Sequence, residues 1–134
     1  MTALFGQQIR GAPRIKMDQQ QLLTIVAILA LVAIAILRMI RAKARAKVVR
    51  EKLDEGAKIV DVRTPGEFSG GHYPGAVSIP LDKLSQRTKK LGSKDSSILV
   101  YCATGSRSRV AVSRLRAAGF KDVVNAGALS RLPR

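Results

Sequence analysis

The only cysteine of the chain, Cys102, stands between an apolar run and a short polar loop. Residues 97–101 read SILVY, and the loop that follows reads CATGSRS. In open α/β sheets, sites form where a strand ends and a helix begins, because backbone N–H groups and the positive end of the helix meet there. A cysteine in this place has a lowered pKa and forms its thiolate near neutral pH. The pattern favours a nucleophilic Cys102 over the alternative, an inert cysteine buried at a strand end.

The loop after Cys102 is expected to bind an anion through its backbone N–H groups. Gly105 relieves the tight curvature of such a loop, and Arg107 adds positive charge. The hydroxyls of Ser106 and Ser108 are expected either to donate to the bound anion or to cap the following helix. The predicted loop residues after the cysteine are Ala103, Thr104, Gly105, Ser106 and Arg107.

The elements that must hold this loop alternate between strands and helices. Strands are predicted at residues 59–63, 76–79, 97–101 and 122–125, and a helix follows the loop to about Ala118, with Gly119 as its cap. Residues 64–75 contain two Pro-Gly pairs and are predicted to be turns. The alternation predicts an α/β fold with a parallel sheet.

An apolar segment precedes this domain. Residues 22–37 carry no charge, and the segment reaches residue 40 if Arg38 is tolerated near its end. As a helix, residues 22–40 would cover roughly 28 Å, close to the hydrocarbon thickness of a bilayer. The segment is therefore predicted to be one transmembrane helix. A cleaved signal peptide is the alternative, but the small-x-small sites at residues 42–46 lie inside a basic run that favours retention.

The basic residues around the apolar segment predict its orientation. Residues 38–52 hold seven basic residues and one acidic residue, whereas residues 1–21 hold three basic residues and one acidic residue. By the positive-inside rule, the N-terminus lies outside and the C-terminal domain lies in the cytoplasm. The same basic residues would attract anionic lipid, which makes membrane lipid an expected partner. The segments are residues 1–21, a polar and basic tail; 22–40, the span; 41–55, a basic helix; and 46–134, the domain.

Composition excludes several classes of protein. One cysteine and one histidine cannot supply a disulfide framework or an ordinary zinc site, so no metal and no cofactor are expected. The net charge of +15 is typical of proteins that bind nucleic acid. However, aromatic residues make up only 4% of the chain, and no nucleic-acid-binding motif accompanies the charge. No nucleic acid is expected as a partner. Nothing in the sequence indicates an oligomeric state.

Two motifs resemble the signatures of rhodanese-like domains. The first is DVRTPGEF at residues 61–68 with GHYPGA at residues 71–76, and the second is the loop C-x-x-G-x-R at residues 102–107. They lie about 40 residues apart, in the order and spacing of that family, and the resemblance covers about residues 46–130. It implies a small rhodanese-like open parallel sheet flanked by helices and preceded by the transmembrane helix.

The resemblance implies a sulfurtransferase mechanism. Cys102 would take a sulfur atom from thiosulfate or another sulfane-sulfur donor and pass the persulfide sulfur to a thiol or to cyanide. The related phosphatases and arsenate reductases use a loop one residue longer, which would place Ser108 where they need arginine, so phosphate chemistry is disfavoured. The alternative function is a non-catalytic module that uses the same fold to bind a partner at the membrane.

Four residues of the first motif are candidates for substrate contact or structural support: Asp61, Arg63, Glu67 and His72. Asp61 and Arg63 are expected to fix neighbouring loops. Glu67 stands four residues after Arg63, and we expect the two to pair. His72 is expected to form a structural hydrogen bond, since a thiolate held by backbone N–H groups needs no base.

The sequence departs from the family pattern at both ends of the domain. The usual Gly-Gly pair is replaced by NAGA at residues 125–128, no Trp follows, and the chain stops at residue 134. The short strand that usually precedes the first helix is replaced by the helix that continues from the membrane. The domain is therefore expected to be trimmed at both ends.

Overall fold

The computed structural model describes residues 17–133 of the chain. The basic residues of the N-terminal tail, Arg10, Arg14 and Lys16, lie outside the described residues. Seven regular elements follow one another: α1 (Gln19–Asp54), β1 (Lys58–Asp61), α2 (Pro65–Ser69), β2 (Val77–Ser78), β3 (Ser97–Cys102), α3 (Ser106–Ala117) and β4 (Asp122–Ala128). Three short 3-10 helices are formed by Leu84–Gln86, Thr88–Leu91 and Leu129–Arg131.

The four strands form one parallel sheet in the order β2-β1-β3-β4. The apolar run predicted as a doubly buried strand is β3, which lies between β1 and β4. Its residues alternate between two apolar clusters, with Ile98 and Val100 in one and Leu99 and Tyr101 in the other. The predicted α/β fold with an open parallel sheet is confirmed.

Each face of the sheet is covered by a different helix. The first cluster includes Ala111 and Leu115 of α3, and Cys102 belongs to it. The second cluster includes Val49 from the C-terminal part of α1, with Leu53 packed against it. Because β3 places successive side chains on opposite faces, its last residue points to the side that α3 covers.

The predicted membrane span and the basic helix after it are parts of one helix, α1. The chain divides into two units, one ending at Met39 and the other running from Ile40 to the C-terminus. In the first unit, α1 is long and apolar enough to cross a membrane, and its most apolar stretch buries no residue. In the second unit, α1 ends at Asp54, and Gly56 follows with a φ of 78°, as expected for the residue that ends a helix.

Several elements differ from the prediction. The strand predicted at residues 59–63 ends at Asp61, and the strand predicted at residues 76–79 is limited to Val77–Ser78. The region predicted as turns contains the short helix α2, which begins with a capping box: the Thr64 side chain accepts from the Glu67 N–H, and the Glu67 carboxylate accepts from the Thr64 N–H. The last strand, predicted at residues 122–125, extends to Ala128. An irregularity in the pairing of β3 with β4 lies at Val100 and Tyr101, and Gly127 has a φ of 88° there.

Candidate active site

Cys102 lies at the carboxyl end of β3 and is fully buried. The backbone N–H of Gly105 donates to its sulfur at 3.0 Å. Gly105 has a φ of 96°, and a Cβ added to it would lie 3.4 Å from the Cα of Gly127. The positive φ favours glycine at this turn, and Gly127 of β4 lies within contact distance of it.

The surroundings of Cys102 favour its thiolate. Burial raises the pKa of the Cys102 thiol, but the nearby polar groups of Ser108 and the backbone N–H groups of Gly105 and Thr104 together lower it by more. The net result is a pKa below the ordinary value for cysteine. Because these donors are neutral dipoles at the start of α3, the loop stabilises a charged sulfur without a direct ion pair.

Ser108 and Asn125 join the loop to β4. The buried Ser108 hydroxyl lies 2.8 Å from the Asn125 side-chain oxygen and 3.1 Å from the Gly105 carbonyl oxygen. The same Asn125 oxygen accepts from the Gly127 N–H at 2.9 Å. The sequence predicts Ser108 as a hydroxyl donor or cap, and Asn125 as the end of the last strand and part of a departure from the family pattern. Their contact was not predicted, since it joins residues 17 apart in the chain.

Arg107 forms a two-pronged ion pair with Glu67, and both contacts measure 2.7 Å. The prediction that Glu67 pairs with Arg63 is wrong, because Arg63 is held elsewhere and α2 directs Glu67 toward the loop. Hydrogen bonds from Arg107 and from the Thr64 backbone hold the pKa of Glu67 well below its usual range. The charge of Arg107 is thus balanced by Glu67, and the pair joins α2 to the first turn of α3.

Asp61 and Arg63 form a buried pair at the end of β1. The Arg63 guanidinium contacts the Asp61 carboxylate at 2.7 Å and also donates to the Gly71 carbonyl oxygen at 2.7 Å. It lies 5.7 Å from the centre of the Tyr101 ring. Burial and hydrogen bonding to Asp61 raise the pKa of Tyr101 to about 12. This geometry agrees with the expected role of Asp61 and Arg63 in fixing neighbouring loops.

His72 lies on the exposed surface beside α2. Its Nδ1 lies 3.0 Å from the Phe68 carbonyl oxygen, and its ring stacks on that of Phe68 at 3.8 Å. These contacts match the expected structural role. Within residues 17–133, no group of three or more metal-ligating side chains is positioned to hold a metal ion.

The remaining loop residues are exposed. Ala103, Thr104 and Ser106 all lie at the surface. The hydroxyls of Thr104 and Ser106 lie 3.1 Å apart. The structure therefore brings Cys102, its loop, Arg107 and Glu67 together, with the Asp61 and Arg63 pair at the end of the neighbouring strand. The His72 side chain contacts Phe68 of α2.

Comparison with known protein families matches residues 45–127 to the rhodanese-like domain. The chain belongs to this family. Thiosulfate sulfurtransferase PspE of Escherichia coli is 35% identical over 71 residues, which cover 52% of this chain and 68% of PspE. The Bacillus subtilis protein YqhL, described as uncharacterized, is 41% identical over 69 residues, and the match spans 52% of this chain and 54% of YqhL.

Solved structures share the fold. One described as a rhodanese with anions from E. coli has a TM-score of 0.55 and 32% sequence identity, and the match covers 57% of this chain and 94% of that one. The chain is thus a rhodanese-like protein whose relatives include named sulfurtransferases.

Proposed function

We propose that the protein is a sulfurtransferase that forms a persulfide on Cys102 and passes the sulfur to a thiol or to cyanide. The observation that supports this most directly is the Gly105 N–H donating to the Cys102 sulfur at 3.0 Å, within a loop that lowers the pKa of the thiol. A thiolate is the nucleophilic form of cysteine, so a lowered pKa makes the group reactive near neutral pH.

The reaction needs no oxidant or metal. The Cys102 thiolate attacks the outer sulfur of thiosulfate, the sulfur–sulfur bond of the donor breaks, and sulfite leaves with the bonding electron pair. The product is a persulfide anion. An acceptor thiolate then attacks the outer sulfur of this persulfide, which returns Cys102 as a thiolate and leaves a persulfide on the acceptor; cyanide gives thiocyanate in the same way.

The loop residues have two roles in this proposal. The backbone N–H groups between Thr104 and Ser108 stabilise the charge on sulfur in the thiolate and in the persulfide. Glu67 holds Arg107, so this arginine fixes the first turn of α3 and contributes only a weak field at the sulfur. A small anionic donor is consistent with the E. coli relative whose structure is described as containing anions.

The test uses the full chain in a neutral detergent. After incubation with thiosulfate and removal of excess donor, intact mass spectrometry under non-reducing conditions should find one added sulfur atom on the wild type and none on Cys102→Ser. With cyanide, the wild type should release thiocyanate at a rate at least about 1,000-fold above that of Cys102→Ser, because the variant lacks the covalent step. No adduct on the wild type, together with no thiocyanate, would overturn the proposal.

A second candidate function follows from the burial of the same residue. Cys102 is fully buried, so a donor reaches its sulfur only if the groups that cover it move. This burial favours the alternative in which the fold binds a partner at the membrane without chemistry. Labelling of the folded protein with iodoacetamide distinguishes the two functions. If Cys102 transfers sulfur, it should be labelled at neutral pH. If it is an inert core cysteine, it should react only after the protein is unfolded.

We also propose that α1 anchors the domain to a membrane in a single pass, with the N-terminus outside and the domain in the cytoplasm. The length and apolar character of the helix support the membrane span, and the excess of basic residues after it supports this orientation. A C-terminal alkaline phosphatase fusion, which is active only outside the cytoplasm, should stay inactive. A C-terminal green fluorescent fusion should be bright in the membrane fraction, and the reverse pair of results would contradict the orientation.

A further inference from the structure

A cavity of about 160 Å³ lies in the domain beside the C-terminal part of α1. Its buried lining is apolar and consists of Val49, Ala126 and Gly127. Its exposed lining carries three guanidinium groups, those of Arg45, Arg50 and Arg131. The volume is well above the roughly 10–15 Å³ that a single water requires, so the cavity has room for a small ligand group.

The three arginines of this cavity differ in their contacts from the arginines near the cysteine loop. Among residues 17–133, no carboxylate lies within 4.0 Å of any of them, whereas Arg63 and Arg107 each contact a carboxylate at 2.7 Å. Arginine presents its N–H groups in a planar fork that matches the oxygens of a phosphate. An apolar base with a cationic rim is therefore suited to an anion that carries an apolar body.

The position of the cavity along the chain indicates the source of such an anion. Arg45 follows Ile40, the last residue of the apolar segment, by only five residues. Even fully extended, five residues span at most about 18 Å, and as a helix they span about 8 Å. The headgroup layer begins at the edge of the hydrocarbon core. If the apolar segment crosses a bilayer, the cavity lies within reach of the headgroups.

We propose that this cavity binds the phosphate of an anionic phospholipid headgroup. The arginines contact the phosphate oxygens, and the apolar lining contacts the glycerol and the first acyl carbons. A free phosphate ion has no apolar part, so the cavity lining gives it no advantage over other anions. This proposal depends on the membrane anchoring but not on sulfur transfer, so Cys102→Ser should bind the lipid as the wild type does.

Native mass spectrometry of the full chain, released from a neutral detergent, tests the proposal. With added phosphatidylglycerol, the wild type should retain one lipid in preference to phosphatidylcholine. Ala46→Phe fills the cavity without changing the charge, and its matched control is Ala44→Phe, on the same exposed helix but outside the cavity lining. The bound fraction should fall for Ala46→Phe alone, and equal binding by both variants would overturn the proposal.

A second pair of variants tests the charge. Arg131→Gln should weaken phosphatidylglycerol binding by about three- to tenfold, the range for one charge-assisted hydrogen bond near solvent. Arg87→Gln removes the same charge from an exposed site outside the cavity and should have no effect. If both variants lose the same affinity for phosphatidylglycerol, the net charge alone attracts the lipid, and the proposed site is wrong. Displacement of the lipid by inorganic phosphate, at an ionic strength matched with chloride, would reassign the cavity to free phosphate.

Discussion

Two neighbouring strands of the sheet end in opposite ways. At the end of β1, the buried Asp61 carboxylate meets the Arg63 guanidinium two residues later, and the charges cancel. At the end of β3, the buried Cys102 sulfur meets no cation directly and is contacted by neutral donors, among them the Gly105 N–H. The nearby cation, Arg107, is already paired with Glu67.

The difference fits a structural role for one strand end and a chemical role for the other. A buried ion pair is stable only while both partners keep their charge, because removing one leaves the other uncompensated. Neutral N–H dipoles impose no such condition. In the proposed reaction they would serve a thiol, a thiolate and a persulfide at Cys102 in turn, because none of these forms requires a buried cation as its partner.

The largest effect is expected from breaking the pair at the end of β1. Asp61→Asn leaves the Arg63 guanidinium buried without its anion, which should lower the free energy of unfolding by about 3 kcal/mol. Urea unfolding followed by tyrosine fluorescence measures this change. The chain contains no Trp and only two tyrosines, Tyr73 and Tyr101, and the Tyr101 hydroxyl accepts from the Tyr73 N–H, so the signal reports on this region.

The matched control for this change is Asp95→Asn. Asp95 pairs with Lys121 at 2.8 Å, but both side chains are about three-quarters exposed, so its loss should cost well under 1 kcal/mol. Similar losses for the two variants would contradict the view that burial makes the pair at β1 structural.

A smaller effect is expected from removing a neutral donor at the end of β3. Ser108→Ala deletes one hydroxyl that lowers the pKa of Cys102, so the pKa should rise. The rate of iodoacetamide labelling rises with pH as the thiolate forms, and its midpoint in the wild type should lie below the usual value for cysteine. In Ser108→Ala the midpoint should move to higher pH, and labelling below it should slow by up to about fivefold, since one full hydrogen bond sets the upper limit for a nearby hydroxyl dipole.

Ser106→Ala is the control for this comparison. Ser106 lies two residues earlier in α3 but is exposed, and its hydroxyl contacts Thr104. Its pH profile should match that of the wild type. If both serines shift the midpoint equally, the effect comes from the start of the helix in general and not from the donors that face the sulfur.

The sequence was informative where the chemistry is local. Cys102 and Gly105 are contiguous with the strand that holds them, so an apolar run followed by a glycine-containing loop predicts both their place and their conformation. The Glu67 and Arg107 pair was missed because its partners lie 40 residues apart and meet only through α2. A signal for α2 was present, since Thr64 and Glu67 have capping-box spacing, but the Pro-Gly pair beside them favoured a turn.

Two contacts for which the sequence offers no signal depend on the position of β4. Asn125 reaches the Ser108 hydroxyl because β4 runs on to Ala128 beside the cysteine loop, three residues beyond the predicted end of the strand. The arginine cavity likewise combines α1 with Arg131, at the far end of the domain sequence. The spacing of residues and the composition of the chain give no sign of these contacts, because the partners come together only when the sheet is complete.

The smallest effect should come from the ion pair that borders the loop. Glu67→Gln frees Arg107, whose charge then acts on the thiolate unbalanced, so iodoacetamide labelling at neutral pH should speed up by about twofold or less.

The pKa of Glu67 is lowered in the folded protein, so its stabilising contribution is present above the ordinary carboxyl pKa and is lost as the pH falls through the folded value. Glu67→Gln should therefore lose less stability on acidification than the wild type, as followed by tyrosine fluorescence. The exposed Glu51→Gln, whose pair with Lys47 measures 3.8 Å, should behave as the wild type in both measurements. Slower labelling in Glu67→Gln would show that the pair acts chiefly by fixing the loop, and the two strand ends would then differ less than their charges indicate.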